Sequence, residues 1–421
     1  MSGSRLPTSS NRTGPGRLIG VRSQVAEVDL RPGSGDLCQN ADAAGRVLVG
    51  EREPDKRETR MTAVRRKWRV GVLGCGRVSA RYREVLGQEL ADRVEVVVAA
   101  DLDARKAASF AEVAGGKPVT SIDELIAARP DLVCVCTESG NHAAHALRLI
   151  DAGLNIVVEK PVALRPEDAE RMRDSAIAKG VMCAVVKQNR YNPAMRFLRA
   201  MVDEGRIGRL VTAGIRVHWC RHQDYYDDPW HGRWAMDGGV LAQQAIHHVD
   251  ALQWLGGPIA EVCAAGSAIL NRLEAEDTAV ALVRFKSGAL GTIEATTSAR
   301  DDDFEASLHL VGEQAMAKVG GRALNKLEFW RPVEPRQGDE RAVETFSQEV
   351  PTSYGLGHGP LLGEVLDALE NGTPPPIGVD EAMGSLRLVH ALYASMEVGG
   401  WVAMDDLPTS SRLGIHSPES P

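Results

Sequence analysis

Long apolar runs, paired cysteines and an excess of basic residues are all missing from this chain. No uninterrupted apolar stretch approaches the ~20 residues that a membrane-spanning helix requires. The arginine-bearing N-terminus also lacks the apolar core of about 7–15 residues that marks a signal peptide. Seven cysteines, at 38, 75, 134, 136, 183, 220 and 263, are odd in number and never spaced C-x-x-C. That pattern argues against a disulfide framework or a zinc site and for reduced thiols in the cytoplasm, with Cys134 and Cys136 as small core residues. The net charge of -8 excludes a general nucleic-acid or membrane-surface binder. Local arginines can still create a positive cleft for an anionic small molecule.

What is present is an ordinary globular composition over 421 residues, enough for two or three domains. Residues 1–65 mix Gly, Ser, Arg and acids with no sustained period, and are expected to form a disordered leader. Met61 lies just before the first strand and is an alternative start. From Trp68 the pattern becomes strand–helix alternation, which predicts a doubly wound parallel sheet over 66–188. Expected strands are 69–73, 94–100, 132–136, 154–158 and 181–186, with helices near 103–114, 122–129, 143–152 and 166–179.

After a helix at 193–205 and a strand at 210–219, the periods shorten. Strands are expected at 262–270, 278–285, 290–297, 306–311 and 326–330, with Lys286-Ser287-Gly288 as a hairpin turn. The fold class is therefore α/β. A Rossmann domain precedes an α+β domain at 189–406 with a large, open, mostly antiparallel sheet. The outer face of that sheet needs a cover, which predicts a homo-oligomer, dimer or tetramer. Helices are expected at 360–370 and 381–398, and 407–421 reads as a flexible tail.

Three stretches carry the chemistry. Gly74-Cys75-Gly76-Arg77-Val78-Ser79 follows the first strand and opens a helix, the turn that cradles a dinucleotide pyrophosphate. Asp101, at the end of the second strand, is placed to accept ribose hydroxyls and to repel a 2′-phosphate, which favours NAD over NADP. Asp103 fits a helix cap better. Thr137-Glu138-Ser139-Gly140-Asn141-His142 is a polar loop beyond a strand end, expected against the cofactor, with His142 either a ligand contact or a helix-start residue. Glu159-Lys160-Pro161 ends the next strand, where cofactor and substrate would meet.

Aromatic residues are only 5% of the chain, yet the loop Arg221–Trp234 is rich in Tyr, Trp, Arg and His, which suggests ligand contact. Gly238-Gly239 is expected to open a helix to about Leu255, with Gln243 and His247 on one face together with Asp250 or Ala251, and His248 elsewhere as a structural residue. A lysine and a histidine converging beside a dinucleotide suit reversible hydride transfer at a carbinol. His247 can take the hydroxyl proton while cationic Lys160 stabilises the oxygen, or the roles exchange if Lys160 is desolvated. No third ligand at fitting spacing accompanies these residues, so no metal is expected.

These marks, Gly74-Cys75-Gly76, Thr137–His142, Glu159-Lys160-Pro161 and Gly238-Gly239 with His247 and Asp250, resemble the glucose-fructose oxidoreductase and inositol dehydrogenase family from Trp68 to about Met404. Val185–Arg190, Tyr225-Tyr226-Asp227, Trp230–Trp234, Ala275–Thr278 and Tyr354–His358 resemble the subgroup that oxidises UDP-linked N-acetylaminosugar uronates. That subgroup, like this chain, has an amide at 243 where the wider family usually has an aspartate. The resemblance implies an NAD-linked oxidation of the sugar 3-hydroxyl for bacterial surface polysaccharide synthesis, with 2-oxoglutarate able to reoxidise bound NADH. It implies cofactor contacts from Gly74, Gly76, Arg77, Val78, Asp101, Thr137, His142, Glu159, Lys160 and Gln188. Substrate contacts would come from Lys160, Asn189, Arg190, Tyr226, Arg233, Gln243 and His247, and two phosphates plus a carboxylate also call on Lys187 or Arg221. Other readings are a dehydrogenase of another sugar or an inositol, a glycosidase working through a transient 3-keto sugar, and an NAD-occupied regulator.

Overall fold

A computed structural model describes residues 66–415; the expected leader lies outside them. The first sheet is built from β1 (Trp68–Leu73), β2 (Val94–Ala100), β3 (Lys117–Val119), β4 (Leu132–Val135), β5 (Asn155–Val158) and β6 (Cys183–Val185). Its helices are α1 (Ser79–Glu84), which runs into a π-turn over Val85–Glu89, α2 (Ala104–Ala114), α3 (Ile122–Ala127), α4 (His142–Asp151) and α5 (Pro166–Lys179). The strand order is β3-β2-β1-β4-β5-β6, with every pair parallel. Valine-rich, fully buried runs explain the central strands, which are covered on both faces. The order reverses between β1 and β4, and it is at such a switch point that a doubly wound sheet opens a crevice beyond its strand ends.

The second part contains α6 (Pro193–Asp203), β7 (Leu210–His218), α7 (Ile246–Gly256), β8 (Ile259–Ser267), β9 (Thr278–Phe285) and β10 (Leu290–Thr296). Then follow β11 (Glu305–Gly312), β12 (Ala315–Gly320), β13 (Lys326–Pro332), α8 (Ala342–Thr345), α9 (His358–Asn371), α10 (Val379–Val398) and β14 (Val402–Ala403). Eight strands run in the order β13-β12-β11-β7-β10-β9-β8-β14. All pairs are antiparallel except β7–β10. One face packs on α6, α7 and α10; the other leaves Val211, Val280, Leu282 and Leu290 more than half exposed.

Four sequence expectations need correction. Strands β3, β12 and β14 gave no signal, because Pro118 and the alanines and glycine of β12 carry little strand propensity and β14 is only two residues long. The helix expected from Gly239 begins only at Ile246. Ahead of it the amides of Gly239, Val240 and Leu241 donate to Tyr393 Oη, Glu276 O and Glu276 Oε1 (3.0, 2.9 and 3.0 Å), and the chain runs in turns in which Ala245 N reaches back to Val240 O at 2.8 Å. Linear position does not divide the cores at residue 188. Leu361, Leu362, Val365 and Leu366 of α9 join the core of the first sheet, and α10 contributes to both cores.

The expected flexible tail is packed as far as it is described. Leu413 is fully buried in the second core, Gly414 N donates to Trp234 O at 2.8 Å, and Ser410 N donates to His390 Nδ1 at 3.1 Å. Arg412 lies over the Trp234 ring. The segment thus braces the aromatic loop from behind. Leu413→Ala is expected to lower unfolding free energy by about 2–4 kcal/mol, read from the midpoint of urea denaturation.

Candidate active site

A cavity of about 1010 Å³ opens at the switch point, between the strand ends of the first sheet and the aromatic loop. Gly74 has φ +93°, and a Cβ there would stand 2.6 Å from Cys136 O at the end of β4. Only glycine permits that close crossing. A Cβ on Gly76 would instead point into open space on the cavity wall, so its hydrogen leaves a cradle beside Arg77 and Val78. Asp101 Oδ2 accepts from Cys75 N and Oδ1 from Asp103 N, both at 2.8 Å, so backbone amides fix the carboxylate at the same wall. Asp103 caps α2 through Arg105 N at 2.9 Å, as its position predicted. This turn, cradle and acid fit a dinucleotide.

The polar loop after β4 contributes Thr137 and His142 to the wall. His142 also opens α4 and is buried, with its nitrogens 2.7 Å from Pro161 O and 3.0 Å from Thr137 O. It holds the loop to the Lys160-Pro161 turn. Glu159 Oε1 accepts from Tyr82 Oη (3.0 Å) and His358 Nε2 (3.1 Å), and Oε2 from the Lys160 amide (3.1 Å). Burial opposes its charge, yet these donors and the Lys160 ammonium hold its carboxyl below the usual range. His358 is buried at the start of α9.

Lys160 Nζ donates to Gln243 Oε1 at 2.6 Å and to Gln243 O at 3.1 Å. Burial lowers its pKa, against the opposing pull of Glu159 and Asp237. His247 shares the wall, and burial followed by the nearby Lys160 and Lys187 charges holds its pKa well below the ordinary value. It is thus a neutral imidazole, able to accept a proton. Its Nε2 lies 3.1 Å from the Gln188 side-chain amide. His248 is buried in the core against Trp219, away from the cavity wall.

The remaining predicted contacts separate into two groups. Gln188 reaches the cavity because its neighbours are tethered: Lys187 Nζ pairs with Asp250 Oδ1 (3.2 Å) and Ser385 Oγ (2.5 Å). Arg190 grips Asp250 through two bonds (2.7 and 2.9 Å) and also binds Glu381. Lys187 and Arg190 are therefore structural counter-ions here, since their charges are spent on a buried carboxylate. Asn189, Tyr226 and Arg233 also stand off the cavity wall. Tyr226 Oη bonds Thr297 Oγ1 at 2.7 Å, and the nearest acid to Arg233 is Glu274 at 3.8 Å.

On the substrate side, Arg221, Tyr225, Asp228, Trp230, Gln244 and Tyr354 line the cavity instead. Arg77 bridges the two halves, pairing with Asp228 at 3.2 Å and lying over the Tyr225 ring. The aromatic crowding of 221–234 signalled this wall. Asp228 gave no separate signal, because only folding brings it to Arg77. Replacing Asp101 with Asn is expected to weaken NAD binding by about tenfold and to narrow its preference over NADP, as isothermal titration of both cofactors would measure.

Two family models cover most of the described chain: "Oxidoreductase family, NAD-binding Rossmann fold" over residues 68–187, and "GFO/IDH/MocA C-terminal domain" over residues 195–318. The structure is similar to the WlbA dehydrogenase from Bordetella pertussis, solved in complex with NADH and UDP-GlcNAcA. The two are 34% identical with a TM-score of 0.76, over 81% of this chain and 98% of that one. The Chromobacterium violaceum WlbA, solved with the same two ligands, is 33% identical with a TM-score of 0.75, over 80% and 96%. A 1,5-anhydro-D-fructose reductase from Ensifer adhaerens is 30% identical over 69% of this chain and 89% of its own. Fold, dinucleotide turn and family models agree: the chain belongs to the GFO/IDH/MocA family, as an NAD-binding oxidoreductase of the sugar and inositol dehydrogenase type.

Proposed function

We propose that this enzyme oxidises the 3-hydroxyl of a UDP-linked N-acetylaminosugar uronate to the 3-keto sugar. The observation that carries this reading is the extended likeness, at 34% and 33% identity, to two dehydrogenases solved with NADH and UDP-GlcNAcA. The cavity supports it: Arg221 of the aromatic loop and Arg77 of the dinucleotide turn line it and supply cations for an anionic substrate. NAD, when bound, supplies the hydride acceptor. Neutral His247 takes the hydroxyl proton, and Lys160 donates a hydrogen bond to the same oxygen as negative charge develops on it. Gln243 and Gln188 hold these two side chains in place. A bacterial polysaccharide or amino-sugar pathway in the cytoplasm is the setting this chemistry suits. Exposed Val211, Val280, Leu282 and Leu290 support a homo-oligomer through the outer sheet face.

A second reading keeps the chemistry and changes the substrate. It is favoured by sequence relatives whose names specify unactivated sugars or inositols, such as the 30%-identical 1,5-anhydro-D-fructose reductase and a 25%-identical inositol 2-dehydrogenase. Incubation with UDP-N-acetylglucosaminuronate, with and without 2-oxoglutarate, followed by mass spectrometry, separates the two. A product lighter by two hydrogens is expected, whereas oxidation of a free sugar or inositol alone would sink the nucleotide-sugar reading. Lys160→Ala is expected to abolish turnover while NAD remains bound. Arg221→Ala should raise KM for the anionic substrate by about 10–100-fold with a smaller change in kcat.

A further inference from the structure

The aromatic loop of the second domain is tied to the dinucleotide side of the cavity at two places. Just past the end of the loop, Met236 O accepts from Gly140 N at 2.8 Å, and a Cβ on Gly140 would stand 2.8 Å from Met236 Cα. Nearer its start, the loop holds Arg77 of the dinucleotide turn from two directions. Arg77 Nη2 pairs with Asp228 Oδ2 at 3.2 Å, and the guanidinium lies 4.7 Å from the centre of the Tyr225 ring. Neither support is loose. Asp228 Oδ1 accepts from the amides of Trp230 and His231 (3.2 and 2.9 Å). The Tyr225 ring packs at a tilt against buried His231, with centroids 4.2 Å apart, and its hydroxyl accepts from Gln244 Nε2 at 3.3 Å. Gln223, which opens the same short turn, exchanges two bonds with the Arg272 backbone (2.8 and 3.1 Å).

We propose that Tyr225, a residue of the substrate domain, is a positioning residue for the cofactor: its ring presets the Arg77 guanidinium beside the Gly76 cradle, where it would meet the pyrophosphate of NAD. The inference rests on NAD binding and not on any particular sugar. The Arg77 side chain is 57% exposed, so its ion pair with Asp228 contributes little by itself. Without further support, a long flexible cation would surrender its rotamer freedom when a phosphate arrived, and that loss would be subtracted from the affinity. An aromatic face confines the guanidinium before the cofactor enters and leaves its edge able to make a bidentate contact with phosphate oxygens. Among the described residues, the Arg77 side chain engages only Nη2 in a hydrogen bond. Its other donors remain for an anion in the cavity that it lines.

Isothermal titration of the full chain with NAD alone tests this. Arg77→Met is expected to raise Kd by about tenfold, the loss of one charge-assisted contact to phosphate. Tyr225→Leu removes the ring face and leaves Arg77 in place, and should raise Kd by about fivefold. Tyr225→Phe keeps the face and gives up only the bond to Gln244, so its Kd should stay within about twofold of the parent. In an Arg77→Met background, Tyr225→Leu should add nothing. An unchanged Kd in either Tyr225→Leu or Arg77→Met would overturn the proposal, as would a Tyr225→Phe as weak as Tyr225→Leu. A full-sized Tyr225→Leu effect in the Arg77→Met background would also refute it, because the ring would then act on the cofactor directly. Tyr225→Met, closer to the parent in length, makes the same measurement if the leucine variant does not fold. No substrate is present in any arm, so each of these outcomes leaves the proposed oxidation standing.

Discussion

A single buried carboxylate, Glu159, sets where everything else in the site stands. Its two oxygens collect a phenol from the helix that follows the dinucleotide turn, an imidazole from α9 and the backbone amide of the next residue. An unpaired carboxylate in that place would be costly, so each donor is held in position by the cost of its own loss. The result is that the end of β5 cannot swing. Lys160 leaves it in one direction, toward the second domain, and meets Gln243. The glycine turn below and the C-terminal helices behind are registered to the same point.

A second buried anion does the equivalent work across the cavity. Asp250 on α7 takes both Lys187 and Arg190, which pins the segment after β6 against the helix that carries His247. Gln188 is thereby delivered to the imidazole from one side while Lys160 arrives from another. The cations that flank Gln188 are consumed by this scaffold. The substrate face is left to the loop at 221–234, whose arginine lies against aromatic rings and whose Asp228 ties it to Arg77 of the dinucleotide turn. Cofactor and substrate walls are thus joined by side chains more than 140 residues apart, by the separation of 151 between Arg77 and Asp228.

Local chemistry explains what could be read in advance. The glycines of the first turn, the acid at the end of β2 and the Glu159-Lys160-Pro161 corner announce themselves because strand ends and tight turns restrict residue type within a few positions. The valine-rich strands are equally plain. Weak strands with alanine, glycine or proline were silent, since pairing with a neighbour and not propensity stabilises them. The segment after Gly238 looked helical, but Glu276 and Tyr393, distant in sequence, anchor its first amides, and it runs in turns with Ala245 N bonded to Val240 O before α7 begins.

Charge was the least legible feature. Arg190 and Arg221 are indistinguishable as residues in a chain, and both seemed able to meet an anion. Folding placed one beside Asp250 and the other at the cavity wall. By itself the sequence determined the α/β class, the dinucleotide turn and the lysine–histidine pair, because these depend on backbone geometry and on short spacings. The tertiary structure alone decided which cations line the cavity and that the C-terminal segment is packed. Each of those depends on which groups desolvate together, and burial is a property of the assembled chain.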